Sequence, residues 1–170
     1  MKYVDTSAVV QALDARKAEE SKAASELLRT REDKVVSEVF LLELAAAFSR
    51  RDDLISAFAS EADAPRSTIV TAYVAYAMSK YGLKFLESSG EKTLTPLGRA
   101  SAEVAAALAR SADLKMRSLD LLHVSHLLSL KERGYPIEGI ITADKDFLKA
   151  EEFLEGVGVK VSLTSTARRR

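Results

Sequence analysis

Apolar residues return along this chain in two rhythms: short runs of two or three, and longer stretches where they recur every three or four positions. The first rhythm predicts buried strands and the second amphipathic helices. Lys2-Tyr3-Val4 reads as a strand that passes through Asp5-Thr6-Ser7 into a helix over 8–13, with Thr6 or Ser7 able to cap it. Residues 18–29 predict a helix with Ala24, Leu27 and Leu28 on one face, and Val35-Val36 a second strand. Ser37 opens a strong helix over 38–50, in which Val39, Phe40, Leu42, Leu44, Ala46 and Ala47 leave little polar face. Arg51-Asp52-Asp53 breaks the pattern. Residues 54–81 then predict two helices parted near Pro65, the second closed by Gly82.

Lys84-Phe85-Leu86 fits another short strand, and Thr95-Pro96 the start of an Ala-rich helix running to 110. Ser118 is placed to cap a helix over 119–133 that Gly134 and Pro136 stop. Ile140-Ile141-Thr142 predicts a buried strand ending at Ala143-Asp144. Asp146 is placed to cap a helix over 147–154, and residues 157–163 form a last strand before a frayed tail, 164–170. Short apolar strands alternating with helices imply an α/β fold, a parallel sheet covered by helices on both faces. In such sheets the site lies beyond the carboxyl ends of the strands, where Asp5 and Asp144 both stand.

Composition narrows the chemistry. A chain of 170 residues with 47% hydrophobic residues suits one packed domain. With no cysteine, disulfides, thiolate zinc sites, iron–sulfur clusters and cysteine nucleophiles are excluded, so any metal must sit on oxygen or imidazole. Lys2 and Asp5 interrupt the amino-terminal apolar stretch, which lacks the pattern of a signal peptide, and the uncharged run over 67–79 is too short to span a bilayer. A soluble, cytoplasmic protein is expected. The chain has no Asn and a single Gln, Gln11, beside 29% charged residues, a pattern reported for hyperthermophile proteins. The formal net charge of zero argues against a surface that binds nucleic acid everywhere, and is silent on a local patch.

Four acids stand in apolar surroundings. Asp5 and Asp144 end strands, Glu43 interrupts an apolar helix, and Asp120 sits in Leu119-Asp120-Leu121-Leu122. A buried carboxylate needs a partner, a proton or a metal. Separate ion pairs or helix caps would account for each singly, most readily for Asp120 in a first helical turn. If the four converge, their repulsion calls for a cation, and hard oxygen ligands select Mg²⁺ or Mn²⁺. Such a metal lowers the pKa of a bound water and stabilises charge developing on phosphorus, which suits phosphodiester hydrolysis.

The ordered set Tyr3-Val4-Asp5-Thr6-Ser7, Ser37 with Glu43, Ser118-Leu119-Asp120-Leu121-Leu122-His123, and Ile141-Thr142-Ala143-Asp144-Lys145-Asp146-Phe147 closely resembles the PIN-domain family, especially its VapC-type toxin ribonucleases. The resemblance implies a three-layer αβα fold with a short central parallel sheet, here as a single domain over 1–163 with an added helical segment at about 52–82 and a basic tail over 164–170. It implies a Mg²⁺- or Mn²⁺-dependent endoribonuclease acting on RNA and leaving a 5′-phosphate, a homodimer and an antitoxin of VapB type. Beside the composition it also points to a thermophilic archaeal source. The family's metal-binding acids map onto Asp5, Glu43, Asp120 and Asp144. Asp146 matches a further acid of many members and reads equally as a helix cap. Thr6 or Ser7 and Thr142 match hydroxyls that support the metal.

Other features admit plainer readings. Asp120, His123 and His126 recur at spacings that could build a mixed metal site, but their apolar neighbours favour a packed helix that tolerates histidine. Tyr73, Tyr76 and Lys80, with Tyr81 beside them, could stack on bases and fit better as core or subunit interface. Arg168-Arg169-Arg170 reads as a solvated terminus, and Gly156-Val157-Gly158 is weak evidence for a phosphate loop. A haloacid-dehalogenase-like phosphatase also places an Asp after its first strand, but expects a second acid where Ser7 stands. A noncatalytic RNA-binding or scaffold domain is the alternative of another class, and four intact acids argue against it.

Overall fold

A computed structural model describes residues 1–14, 16–52, 55–56, 64–88, 90–94 and 98–164. Five parallel strands form the central sheet in the order β3-β2-β1-β6-β7: β1 (Lys2–Val4), β2 (Lys34–Val36), β3 (Leu83–Phe85), β6 (Gly139–Thr142) and β7 (Lys160–Leu163). In the three inner strands β1, β2 and β6, two consecutive apolar residues reach both faces. Tyr3, Val35 and Ile140 enter the core on one side, while Val4, Val36 and Ile141 enter the core on the other. A sheet buried on both faces explains why its strands read as continuous apolar runs.

On the first side lie the helices α5 (Ala102–Leu114) and α6 (Ser118–Glu132), with a 3-10 helix (Lys145–Ala150) and α7 (Glu151–Gly156). The second side is covered by α1 (Thr6–Leu13), α2 (Ala18–Leu28), α3 (Glu38–Ser49) and α4 (Arg66–Tyr81). Phe40, Leu44 and Phe48 form the buried stripe of α3, and the ring of Phe48 meets that of Tyr73 on α4 at 5.4 Å. This three-layer α/β arrangement is the one expected. β1 lies at its centre, and the chain leaves it first towards β2 and β3 and later returns to its other side as β6. The reversal opens a crevice at the carboxyl ends of β1 and β6, where Asp5 and Asp144 follow the last strand residues.

Several local expectations are corrected. Asp5 itself caps α1, accepting from the Ser7 N–H, in place of Thr6 or Ser7. Asp144 caps the 3-10 helix by accepting from the Asp146 N–H, so Asp146 is not the cap, and the helix expected over 147–154 is divided in two. Ser118 is already helical, and Arg117 precedes it without a side-chain cap. The Ala-rich helix begins at Ala102, capped by Ser101, and is preceded by a hairpin of β4 (Glu91–Leu94) and β5 (Gly98–Ser101). Gly98, at φ 98°, holds a backbone conformation that no helix contains, which is why the helix cannot run from Thr95. Thr95 and Pro96 lie outside the described residues, as do Arg168-Arg169-Arg170 and most of the first helix expected after Asp53.

Gly82 does close α4, at φ 60° in the left-handed region. The tyrosine stripe divides: Tyr81 is buried with its hydroxyl near Ser25, Tyr73 packs on Phe48, and Tyr76 is exposed with Lys80 over its ring. Thr164, read as the first residue of the tail, is buried, and its N–H donates to Thr142 O. Among the described residues, no helix is long and apolar enough to cross a membrane.

Candidate active site

Asp5 is held in place before any ligand arrives. Its backbone N–H donates to Ile141 O at 3.0 Å, continuing the β1–β6 register past the last strand residue. Its side chain is buried, and Oδ2 accepts from Thr142 Oγ1 at 2.8 Å, from the Ser7 N–H and from the Ser7 hydroxyl. Ser7 Oγ in turn accepts from the Ala143 N–H at 2.9 Å, and Thr142 Oγ1 from the Asp144 N–H at 3.0 Å. The three residues expected to support the acids therefore tie the ends of β1 and β6 together: Ser7 and Thr142 hold Asp5, while Thr6 Oγ1 donates to Glu43 Oε2 at 2.7 Å.

Glu43 comes from α3 and reaches the same place. His123 Nε2 lies 2.7 Å from Glu43 Oε2 and 3.4 Å from Asp5 Oδ1. On its other edge, His123 Nδ1 pairs with the Tyr3 hydroxyl at 2.8 Å, and that hydroxyl donates to Ser37 Oγ at 2.9 Å. Ser37 is the residue that caps α3, accepting from the Phe40 N–H. A buried chain thus runs from the α3 cap through Tyr3 and His123 to Glu43, fixing the helix that carries this acid. Burial opposes a charge on His123, but the bond to Glu43 and the negative charges of Asp5, Glu43 and Asp120 prevail and raise its pKa. Burial likewise opposes ionisation of Glu43, yet the bonds from His123 and Thr6 win and lower its pKa. The Tyr3 hydroxyl is pushed far up by burial and stays neutral.

Asp120, in the first turn of α6, is buried, and burial is the main cause of its raised pKa, only partly offset by Arg117. Arg117 Nε donates to Asp120 Oδ2 at 2.8 Å, Nη2 donates to Asp144 Oδ2, and Nε lies 3.5 Å from Asp146 Oδ2. These contacts raise the guanidinium's pKa further, with the bond to Asp120 foremost. Asp146 also pairs with Lys149 at 3.1 Å.

Asp5, Glu43, Asp120 and Asp144 line one cleft of about 600 Å³, with Thr6, Ser7, Arg50 and Arg117 among the other lining residues. Asp146 lies beside it through Arg117. Asp120, His123 and His126 do not gather into a common site. His123 turns to Glu43 and Asp5, whereas His126 faces Glu103 of α5 at 3.9 Å and the Tyr3 ring at 5.9 Å. The packed-helix reading holds for His126 and understates His123, which is fully buried and still touches the cleft acids.

The donors fit a hard divalent cation. Ligand atoms of Asp5, Glu43 and His123 lie within 4.8 Å of one another, and carboxylate oxygens dominate the set. His123 Nε2 already serves the Glu43 bond, so the carboxylates are the available ligands. The guanidinium drawn among Asp120, Asp144 and Asp146 stands in for the positive charge this cluster requires. Arg117 and the Tyr3–His123 chain were missed from sequence. The spacing of Arg117 three residues before Asp120 was the one signal that could have pointed to the former.

No curated protein matches the chain. Among solved structures, the crystal structure of VapBC2 from Rickettsia felis bound to a DNA fragment from their promoter has a chain that superimposes with a TM-score of 0.54. That chain is 15% identical, and the alignment covers 96% of the present chain and 98% of the other, a likeness of fold. The model of the PIN domain, a family whose members are generally nucleases, matches residues 2–152. That match takes in β1, the acids Asp5, Glu43, Asp120 and Asp144 and most of the sheet, and the chain belongs to the PIN-domain family.

Proposed function

We propose that this protein is a Mg²⁺- or Mn²⁺-dependent endoribonuclease, the toxin of a VapBC-type pair, working as a homodimer in the cytoplasm and restrained by an antitoxin of VapB type. The observation that carries the reading is the convergence of Asp5, Glu43, Asp120 and Asp144, from four separate segments, on one cleft at the strand ends. The fold likeness to the Rickettsia felis VapBC2 chain supports the toxin–antitoxin part. Family membership sets the phosphatase alternative aside.

Asp5, Asp120 and Asp144 would hold the divalent ion, with Glu43 as direct or water-mediated ligand and Asp146 as an outer acid. When bound, the ion supplies Lewis acidity, which makes water a nucleophile near neutral pH and offsets charge on phosphorus. The chain's own part is to hold the acids still. Ser7 and Thr142 fix one oxygen of Asp5, so its second oxygen keeps one orientation. Thr6 and His123 both bind Oε2 of Glu43, which leaves Oε1 as its ligand atom. Phosphodiester hydrolysis here needs no histidine nucleophile: His123 is sealed behind Glu43 and positions it.

The test is cleavage of a mixed RNA pool by the purified protein in EDTA, Mg²⁺ or Mn²⁺, with the product ends mapped. Metal-dependent internal cuts leaving 5′-phosphates are expected, and Asp5→Asn should lower the rate by more than about a hundredfold, beyond the loss of an outer-shell partner. Metal-independent cleavage, or full activity in Asp5→Asn, would overturn the reading. Binding of RNA without cleavage would favour the scaffold alternative.

A further inference from the structure

We propose that Arg117 competes with the divalent ion for the cleft carboxylates, and that once displaced by the metal it binds a phosphate of the RNA. The proposal rests on the nuclease reading above and adds a residue and a role to it.

The competition follows from which atoms are taken. Arg117 donates to Oδ2 of Asp120 and to Oδ2 of Asp144, two of the acids assigned to the ion, and its Nε approaches Asp146 Oδ2 at 3.5 Å. A guanidinium and a metal would draw on the same carboxylates, and two cations side by side there repel each other. Lys149 meets the outer acid Asp146, which leaves one guanidinium between Asp120 and Asp144 with Asp5 nearby, short of neutrality, so a doubly charged ion is favoured there. Removing the arginine with nothing in its place would leave Asp120, whose side chain is 10% exposed, buried beside Asp144 and Asp5. Some cation must therefore stay, and the arginine is the one the chain itself supplies.

Release is easy for Arg117 and hard for the acids. Its side chain is 61% exposed and is held by ion pairs at the mouth of the cleft, whereas Asp5 and Asp120 are buried. It stands immediately before α6, so a turn about its side-chain bonds leaves the guanidinium on the cleft wall. A planar fork of donors freed there matches a phosphate bidentately. Arg50 lines the same cleft without an ion pair to these acids among the described residues, which makes it the natural comparison.

The experiment is calorimetric titration of Mn²⁺ into the wild type, Arg117→Ala, Arg117→Lys and Arg50→Ala at one ionic strength. It is joined to steady-state cleavage, at saturating Mn²⁺, of an RNA that the wild type cuts. Arg117→Ala should bind Mn²⁺ about tenfold more tightly, the loss of two partly exposed ion pairs. Its KM for RNA should rise about tenfold through the lost bidentate contact. Arg117→Lys should bind Mn²⁺ nearly as the wild type does yet keep a raised KM, because it retains the charge and lacks the fork. Arg50→Ala should move Mn²⁺ affinity by no more than about twofold. Unchanged Mn²⁺ affinity in Arg117→Ala, or equal tightening in Arg50→Ala, would overturn the competition. An unchanged KM in Arg117→Ala would overturn the phosphate contact. A wild type that neither binds Mn²⁺ nor cleaves RNA would remove the nuclease reading itself, and the proposal with it.

Discussion

Replacing Tyr3 by Phe removes one oxygen atom and tests the chain that holds Glu43. The tyrosine is fully buried, and its hydroxyl donates to Ser37 Oγ at 2.9 Å and meets His123 Nδ1 at 2.8 Å, both partners themselves buried. The substitution keeps the ring's packing, so the cost comes from the bonds. Each is worth roughly 0.5–1.5 kcal/mol, and with His123 Nδ1 left unpaired out of reach of water and Ser37 Oγ keeping the Phe40 N–H, the total lies near the top of that range for both, about 2–3 kcal/mol. For a domain of this size, a kilocalorie lowers the melting temperature by about 2–4 °C, so Tyr3→Phe should melt roughly 4–12 °C below the wild type. Thermal unfolding followed by circular dichroism reads this directly, with the exposed Tyr76→Phe as control, expected within about 1 °C. A Tyr3→Phe shift no larger than that of the control would refute the reasoning. The chain of bonds would then contribute nothing to folding, and the fixed position of Glu43 would need another cause.

His126 is buried mainly at the expense of its charged form, which lowers its pKa from 6.5 to about 4. The unfolded chain then binds a proton that the folded one refuses, so stability should fall as pH drops from about 6.5 towards 4, by on the order of 2–3 kcal/mol, and His126→Gln should flatten that slope in urea titrations. Leu44→Ala on the buried stripe of α3 should cost about 2–5 kcal/mol in the same assay, since it opens a cavity beneath the helix that carries Glu43. Gly82→Ala should cost about 1 kcal/mol although nothing lies within 4 Å of the added carbon, because the strain is in the backbone at φ 60°. Glu43→Gln keeps an oxygen for Thr6 and removes the charge; it should fold and reduce metal-dependent cleavage about tenfold or more, measured as initial rate.

Much of this architecture is legible in the residues because two simple rules act without interference. Val35-Val36 and Ile140-Ile141 read as strands since each pair feeds both faces of one sheet, and Asp5 and Asp144 stand out because they end those runs. Glu43 is conspicuous for the same reason, a charge inside an apolar helix. What escaped depends on partners distant in sequence. His123 reads as core from its neighbours, and it is core; its contact with Glu43 spans 80 positions and leaves no local trace. Arg117 looks like any solvated arginine before a helix until β6 brings Asp144 beside it. The hairpin before α5 was hidden by Thr95-Pro96, a fair helix start, while the left-handed backbone at Gly98 decided otherwise. Asp144 was legible as a site acid but not as a cap, because a side chain that bonds to the N–H two residues on serves both ends.

The central claim, that the four converging acids form a divalent metal site, is tested most directly by anomalous scattering from crystals soaked in Mn²⁺. The account predicts a peak in the cleft, within about 2.0–2.4 Å of the Asp5 carboxylate and of at least one of Asp120, Asp144 and Glu43, with Arg117 no longer bonded to those acids. A map with no peak in that cleft at millimolar Mn²⁺, and Arg117 still bridging Asp120 and Asp144, would contradict it.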